Sequence, residues 1–123
     1  VVPESASVVL VEVSSSSCRD ARGHLAGRDA TVVRSTVERW RPSAADVVIA
    51  DPARQGLGAD AVDRLDRTGA ATLLLVSCDP VSFARDTGLL AARGWHPSRS
   101  VVLDLFPQTH HVEVVTRFDR RHS

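Results

Sequence analysis

The residue best equipped for chemistry in this chain is Cys78, in the stretch Ser77-Cys78-Asp79-Pro80, where the β-forming run Thr72 to Val76 meets the start of a helix. A thiol at the carboxyl end of a strand, followed by an Asp-Pro helix start, stands where α/β proteins place their ligands, which makes it a candidate nucleophile. The competing reading of a lone cysteine is a small buried hydrophobe, and that is the expectation for Cys18 on the apolar face of a predicted helix. Three carboxylates join Cys78 as candidates. Glu12 interrupts an apolar run, Asp51 opens Asp51-Pro52-Ala53-Arg54, and Glu113 alternates with Val112 and Val114. Taken alone, the interruption at Glu12 favours function, with a buried ion pair as the competing reading, while Asp51 would suit a turn start and Glu113 a solvent-facing strand position. His110 and His111 lie close to Glu113, but adjacent strand residues point to opposite faces, so no metal site is expected.

The elements that position these residues alternate along the chain. Val8 to Val13 reads as a first strand, and Ser14 to Ser17 supply N-caps for a helix bearing Cys18, Ala21 and Leu25 on one face and ending at Gly27. Thr31 to Arg34 reads as a second strand. Ala45 to Ala50 reads as a third, and its nearly unbroken apolar character predicts burial on both sides. Val62 and Leu65 mark a helix stopped by Gly69, and Ala71 to Val76 forms the next strand. Asp79 as N-cap and Pro80 at the first helical position then launch a helix through Phe83, Thr87 and Leu90 that Gly94 terminates.

The last two predicted strands, Ser100 to Leu105 and His111 to Phe118, are separated only by Pro107 to His110 and so must be antiparallel. The fold class is therefore α/β, a parallel sheet ending in an antiparallel strand pair, as in the Rossmann-like class I methyltransferase fold. In such a sheet Glu12, Asp51 and Cys78 end parallel strands at one edge. Glu113, near the start of an antiparallel strand, reaches that same edge.

Composition narrows the function. Fifteen Lys+Arg against fifteen Asp+Glu leave a formal net charge of zero, so no global basic field announces a nucleic-acid partner. Every basic residue is arginine, whose planar fork suits phosphate contacts or structural ion pairs equally, and the latter is the plainer reading of Arg54 and Arg85. The two cysteines make neither a zinc ribbon nor a disulfide framework, which sets a reducing, cytoplasmic location as the expectation.

Three ordered blocks carry a closer resemblance: Asp51-Pro52-Ala53-Arg54; Val76-Ser77-Cys78-Asp79-Pro80 with Phe83-Ala84-Arg85-Asp86; and Asp104-Leu105-Phe106-Pro107-Gln108-Thr109-His110-His111-Val112-Glu113. In order and spacing they resemble the RNA uracil-C5 methyltransferases, which make 5-methyluridine in tRNA or rRNA with S-adenosylmethionine as cofactor. The resemblance implies that Cys78 is the nucleophile, that Glu113 is the base, and that Asp51 lies at the S-adenosylmethionine site. Glu12 resembles the acidic residue that holds the cofactor ribose. Ala53 stands where the family usually has a second proline, and Asp79 where it usually has asparagine. Neither change removes a catalytic group.

The resemblance runs from about Val8 to Phe118 and corresponds to the carboxyl-terminal part of the family's catalytic domain, so residues 1–123 read as a partial catalytic domain. A first strand and a Gly-rich turn are expected before Glu12, but Val1 to Ser7 is short and has no glycine. That strand would lie between those ending at Glu12 and Asp51, and without it the two halves share no ladder. The reading therefore expects a missing N-terminal segment or a homodimer partner, besides RNA. Two other readings stand beside a methyltransferase: a truncated, non-catalytic fragment or binding module, and a cysteine hydrolase, which is weakened because no histidine sits at a strand or helix end aimed at Cys78.

Overall fold

The computed structural model describes residues 5–104 and 112–120. The expected Pro107 to His110 connection, together with Leu105 and His111, lies outside the described residues. The chain divides into two compact units, Val1–Arg41 and Pro42–Ser123.

The first unit holds strand β1 (Val8–Glu12), helix α1 (Ser15–His24) and strand β2 (Ala30–Arg34), followed by a 3-10 turn at Val37–Arg39. β1 and β2 pair in parallel from Val8 with Ala30 to Glu12 with Arg34. The expected serine cap operates: the Ser14 side chain accepts the Ser17 N–H and starts α1. Cys18 is 1% exposed on that helix, as expected of a core residue, and its thiol donates to the Glu12 carbonyl.

The second unit holds β3 (Val47–Ala50), helix α2 (Gly58–Asp66), β4 (Thr72–Ser77), helix α3 (Pro80–Ala91), β5 (His96–Leu103) and β6 (Glu113–Asp119). Its sheet has the order β3-β4-β6-β5, with β3 parallel to β4 and β6 antiparallel to both β4 and β5. Leu73 and Leu75 of β4 and Phe118 of β6 are buried with Val62 and Leu65 of α2 and Leu90 of α3. The Phe83 and Phe118 rings meet at 6.4 Å between centroids. Trp95 is also fully buried, donating to the Ala70 carbonyl with the Arg120 guanidinium 3.9 Å above its ring.

One expectation is corrected. β3 is not buried on both faces: Val47 is 53% and Ile49 60% exposed. Val47 and Ile49 alternate along the strand and so share the exposed face, while Val48 and Ala50 on the other are half-buried; among the described residues β3 is also an edge strand, paired with β4 alone. The strand-end candidates are divided between the two sheets: Glu12 closes a strand of the two-stranded one, while Asp51, Cys78 and Glu113 stand at strand ends of the four-stranded one.

Candidate active site

Parallel pairing brings Asp51 and Cys78 to one edge of the second unit's sheet. Ala50 pairs with Leu75, so Asp51 leaves β3 at the same edge at which Ser77 and Cys78 leave β4. Both Asp51 and Cys78 are exposed. The antiparallel register of β4 and β6 ends with Ser77 opposite Val114, and the Ser77 hydroxyl donates to the Val114 carbonyl at 3.3 Å. Beyond that pair the chain continues into Cys78 on the β4 side, just outside the strand, while Glu113 precedes Val114 at the start of β6. Glu113 is half-buried and pairs on its other side with Leu103 of β5.

The helix following Cys78 starts as its sequence dictates. Asp79 is the N-cap, its carboxylate accepting the Ser82 N–H at 3.0 Å and the Ser82 hydroxyl at 2.9 Å, and Pro80 occupies the first turn. The backbone bond from Ser82, then its hydroxyl, hold the Asp79 carboxyl below its ordinary value of 3.8, and Arg54 adds a smaller pull. The negative charge beside Cys78 is thus engaged in capping. Arg54 reaches Asp79 only at 4.0 Å and its side chain is 83% exposed, which leaves its guanidinium available to a ligand. Arg85 is structural: it donates to Asp86 and to the Gln55 carbonyl.

In the first unit, Glu12 sits at the end of β1 and its Oε1 accepts the Ser14 N–H at 3.0 Å. The backbone around it is fixed by Ser35 N–H donating to the Glu12 carbonyl. His110 and His111 lie outside the described residues, and among the described residues no cluster of His, Cys, Asp and Glu suits a metal ion. No helix among them is long and apolar enough to cross a membrane.

Asp86 is the site-adjacent residue that sequence reasoning passed over. It was legible only as part of the Phe83-Ala84-Arg85-Asp86 block, yet its spacing from Phe83 and Leu90 places it on the inward face of α3, where an acid is uncommon.

No family model matches the chain. Over 80 residues it is 41% identical to the 23S rRNA (uracil(1939)-C(5))-methyltransferase RlmD of Pseudomonas savastanoi, covering 65% of this chain and 18% of that protein. Over 119 residues it is 34% identical to an RNA methyltransferase of Streptomyces coelicolor, covering 93% of this chain and 26% of that one. The chain thus spans about a quarter or less of the length of these relatives, and the matches fall in their carboxyl-terminal part. Among solved structures, the Pyrococcus abyssi tRNA (uracil-54, C5)-methyltransferase in complex with S-adenosyl-L-homocysteine superposes with a TM-score of 0.80 at 32% identity, over 91% of this chain and 28% of that one. The chain is therefore a homologue of RNA uracil-C5 methyltransferases over their carboxyl-terminal part, with a class I, Rossmann-like methyltransferase fold.

Proposed function

We propose that this chain serves in S-adenosylmethionine-dependent methylation of uracil C5 in tRNA or rRNA, through a covalent adduct between Cys78 and C6 of the base. The observation that carries the proposal is the β4–β6 register, whose last pair, Ser77 with Val114, is flanked by Cys78 and Glu113 at the sheet edge where Asp51 also emerges.

The chemistry requires these residue types. C5 of uracil is a weak nucleophile, so the Cys78 thiolate adds to C6, forming an S–C6 bond and pushing the C5–C6 π electrons toward O4 as an enolate. When bound, S-adenosylmethionine supplies the electrophilic methyl that C5 takes up. Glu113 then removes the C5 proton, the electron pair of that C–H bond restores C5=C6, and the thiolate leaves. Free thiolate and 5-methyluridine result.

The residues present fit part of a cofactor cradle. Asp51 is an exposed carboxylate at a strand's carboxyl end, the place where open α/β sheets bind ligands, and its proposed role is contact with S-adenosylmethionine. Glu12 is proposed as the acceptor for the cofactor ribose hydroxyls. With Oε1 committed to Ser14 N–H, Oε2 is the oxygen suited to that role. One edge each of β1 and β3 carries no strand among the described residues, which supports a further strand from an upstream segment or a second copy. Cytoplasmic RNA is the proposed partner.

The deciding experiment is incubation with uridine-containing RNA transcripts and radiolabelled S-adenosylmethionine, followed by nucleoside analysis and a denaturing gel. Labelled 5-methyluridine and a Cys78-dependent covalent RNA band are expected. Label in another nucleoside, or turnover that survives Cys78→Ala, would overturn the reading.

A further inference from the structure

The least conventional side chain in the second unit is Asp86, a carboxylate 1% exposed on the inward side of α3. A buried charge is retained only where it is paired and fully hydrogen-bonded. Here Oδ2 accepts the Leu57 N–H at 2.7 Å, while Oδ1 accepts the Gly58 N–H at 3.0 Å and the Arg85 guanidinium at 3.0 Å. Leu57 is the N-cap of α2 and has no side chain able to cap, so Asp86 supplies from another helix the acceptor that α2 lacks.

The same face of α3 holds the rest of the segment that follows Asp51. The Ser82 hydroxyl, which shares its single hydrogen with the Asp79 carboxylate, lies 2.9 Å from the Arg54 carbonyl, and Arg85 donates to the Gln55 carbonyl. Gly56 has φ +76°, and a Cβ there would overlap the Asp86 carboxylate, so the loop passes at a distance only glycine permits. Four backbone groups between Arg54 and Gly58 are therefore tied to a helix that begins two residues after Cys78.

We propose that Asp86 is a positioning residue: its buried carboxylate locks the Asp51–Gly58 segment to α3 and so sets Asp51 relative to Cys78. Its functional half rests on the methyltransferase reading. Asp86 touches neither substrate nor cofactor in this role and acts through the loop.

The test is Asp86→Asn, which keeps the shape but removes the charge and one acceptor oxygen. Amide hydrogen exchange by NMR should speed up about tenfold or more at Leu57 or Gly58, the loss expected of a hydrogen bond to a charged group, while β4 amides stay protected. In methyl transfer the KM for S-adenosylmethionine should rise about tenfold with the KM for RNA little changed; a merely structural lesion would lower the active fraction and leave both constants alone. Should Asp86→Asn fail to fold, Ser82→Ala should free the Arg54 end of the loop and produce the same split more weakly. Unchanged Leu57 and Gly58 exchange in folded Asp86→Asn, or for Ser82→Ala no change in the loop, overturns the proposal. Absence of methyl transfer by the unsubstituted protein defeats the methyltransferase reading instead, and leaves the lock to be decided by exchange.

Discussion

Cys78 and Glu113 stand one position beyond the Ser77 and Val114 pair on adjacent antiparallel strands. One backbone register thus serves both ends of the proposed reaction, the bond to C6 and the loss of the C5 proton.

Glu113→Gln should keep the size and hydrogen bonding of the side chain but abolish its basicity. Turnover should fall by about 10²-fold or more, the usual share of a general base, and methylated RNA should accumulate attached to the protein. Cys78→Ala should form no adduct. A denaturing gel with labelled RNA reads both; free RNA alone in the Glu113→Gln lane, with binding intact, would assign the base elsewhere.

The two thiols should differ sharply in reactivity. Cys78 is exposed and Cys18 is packed in the first unit with its thiol bonded to a carbonyl. Brief iodoacetamide treatment of the folded protein should label Cys78 first, as mass spectrometry of the tryptic peptides would establish.

Asp79 should make stability sensitive to acid. Its carboxyl is held below the ordinary 3.8 in the folded state by Ser82, so the capping contribution is fully present above that value and is lost as pH falls through the depressed folded-state value. Asp79→Asn retains a capping acceptor that does not titrate in this range, and should flatten the acid limb of a plot of Tm against pH. Equal slopes for the two proteins would remove Asp79 from the acid response.

Phe118 is fully buried against Phe83 at the centre of the second unit. Phe118→Ala should cost about 3–5 kcal/mol, as other large-to-small core changes do, measured by urea unfolding of that unit.

Local chemistry made the site legible. The Asp79-Pro80 pair fixes the start of α3 through contacts within three residues, so the sequence alone placed Cys78 at a strand end before a helix. Glu113 depended on the antiparallel turn-back, which the short connection required. What escaped was set by distant partners. The apolar run at Val47–Ala50 reads the same for a central strand and an edge strand, and only the pairing decides. β5 begins at His96 rather than Ser100 because β6 recruits the polar His96 to Arg99 segment, with an irregularity between Pro97 and Arg99. Asp86 took its meaning from Leu57 and Gly58, far away in sequence.

The burial of Trp95 beneath Arg120 has a practical use. The chain has two tryptophans, and they fall in different units: Trp40 within Val1–Arg41 and Trp95 within Pro42–Ser123. An indole sealed from water emits further to the blue than one in contact with it, so a Trp40→Phe variant turns intrinsic fluorescence into an optical signal of the nucleophile-bearing unit alone. Loss of that blue emission would report the opening of the scaffold under Cys78 without any attached dye.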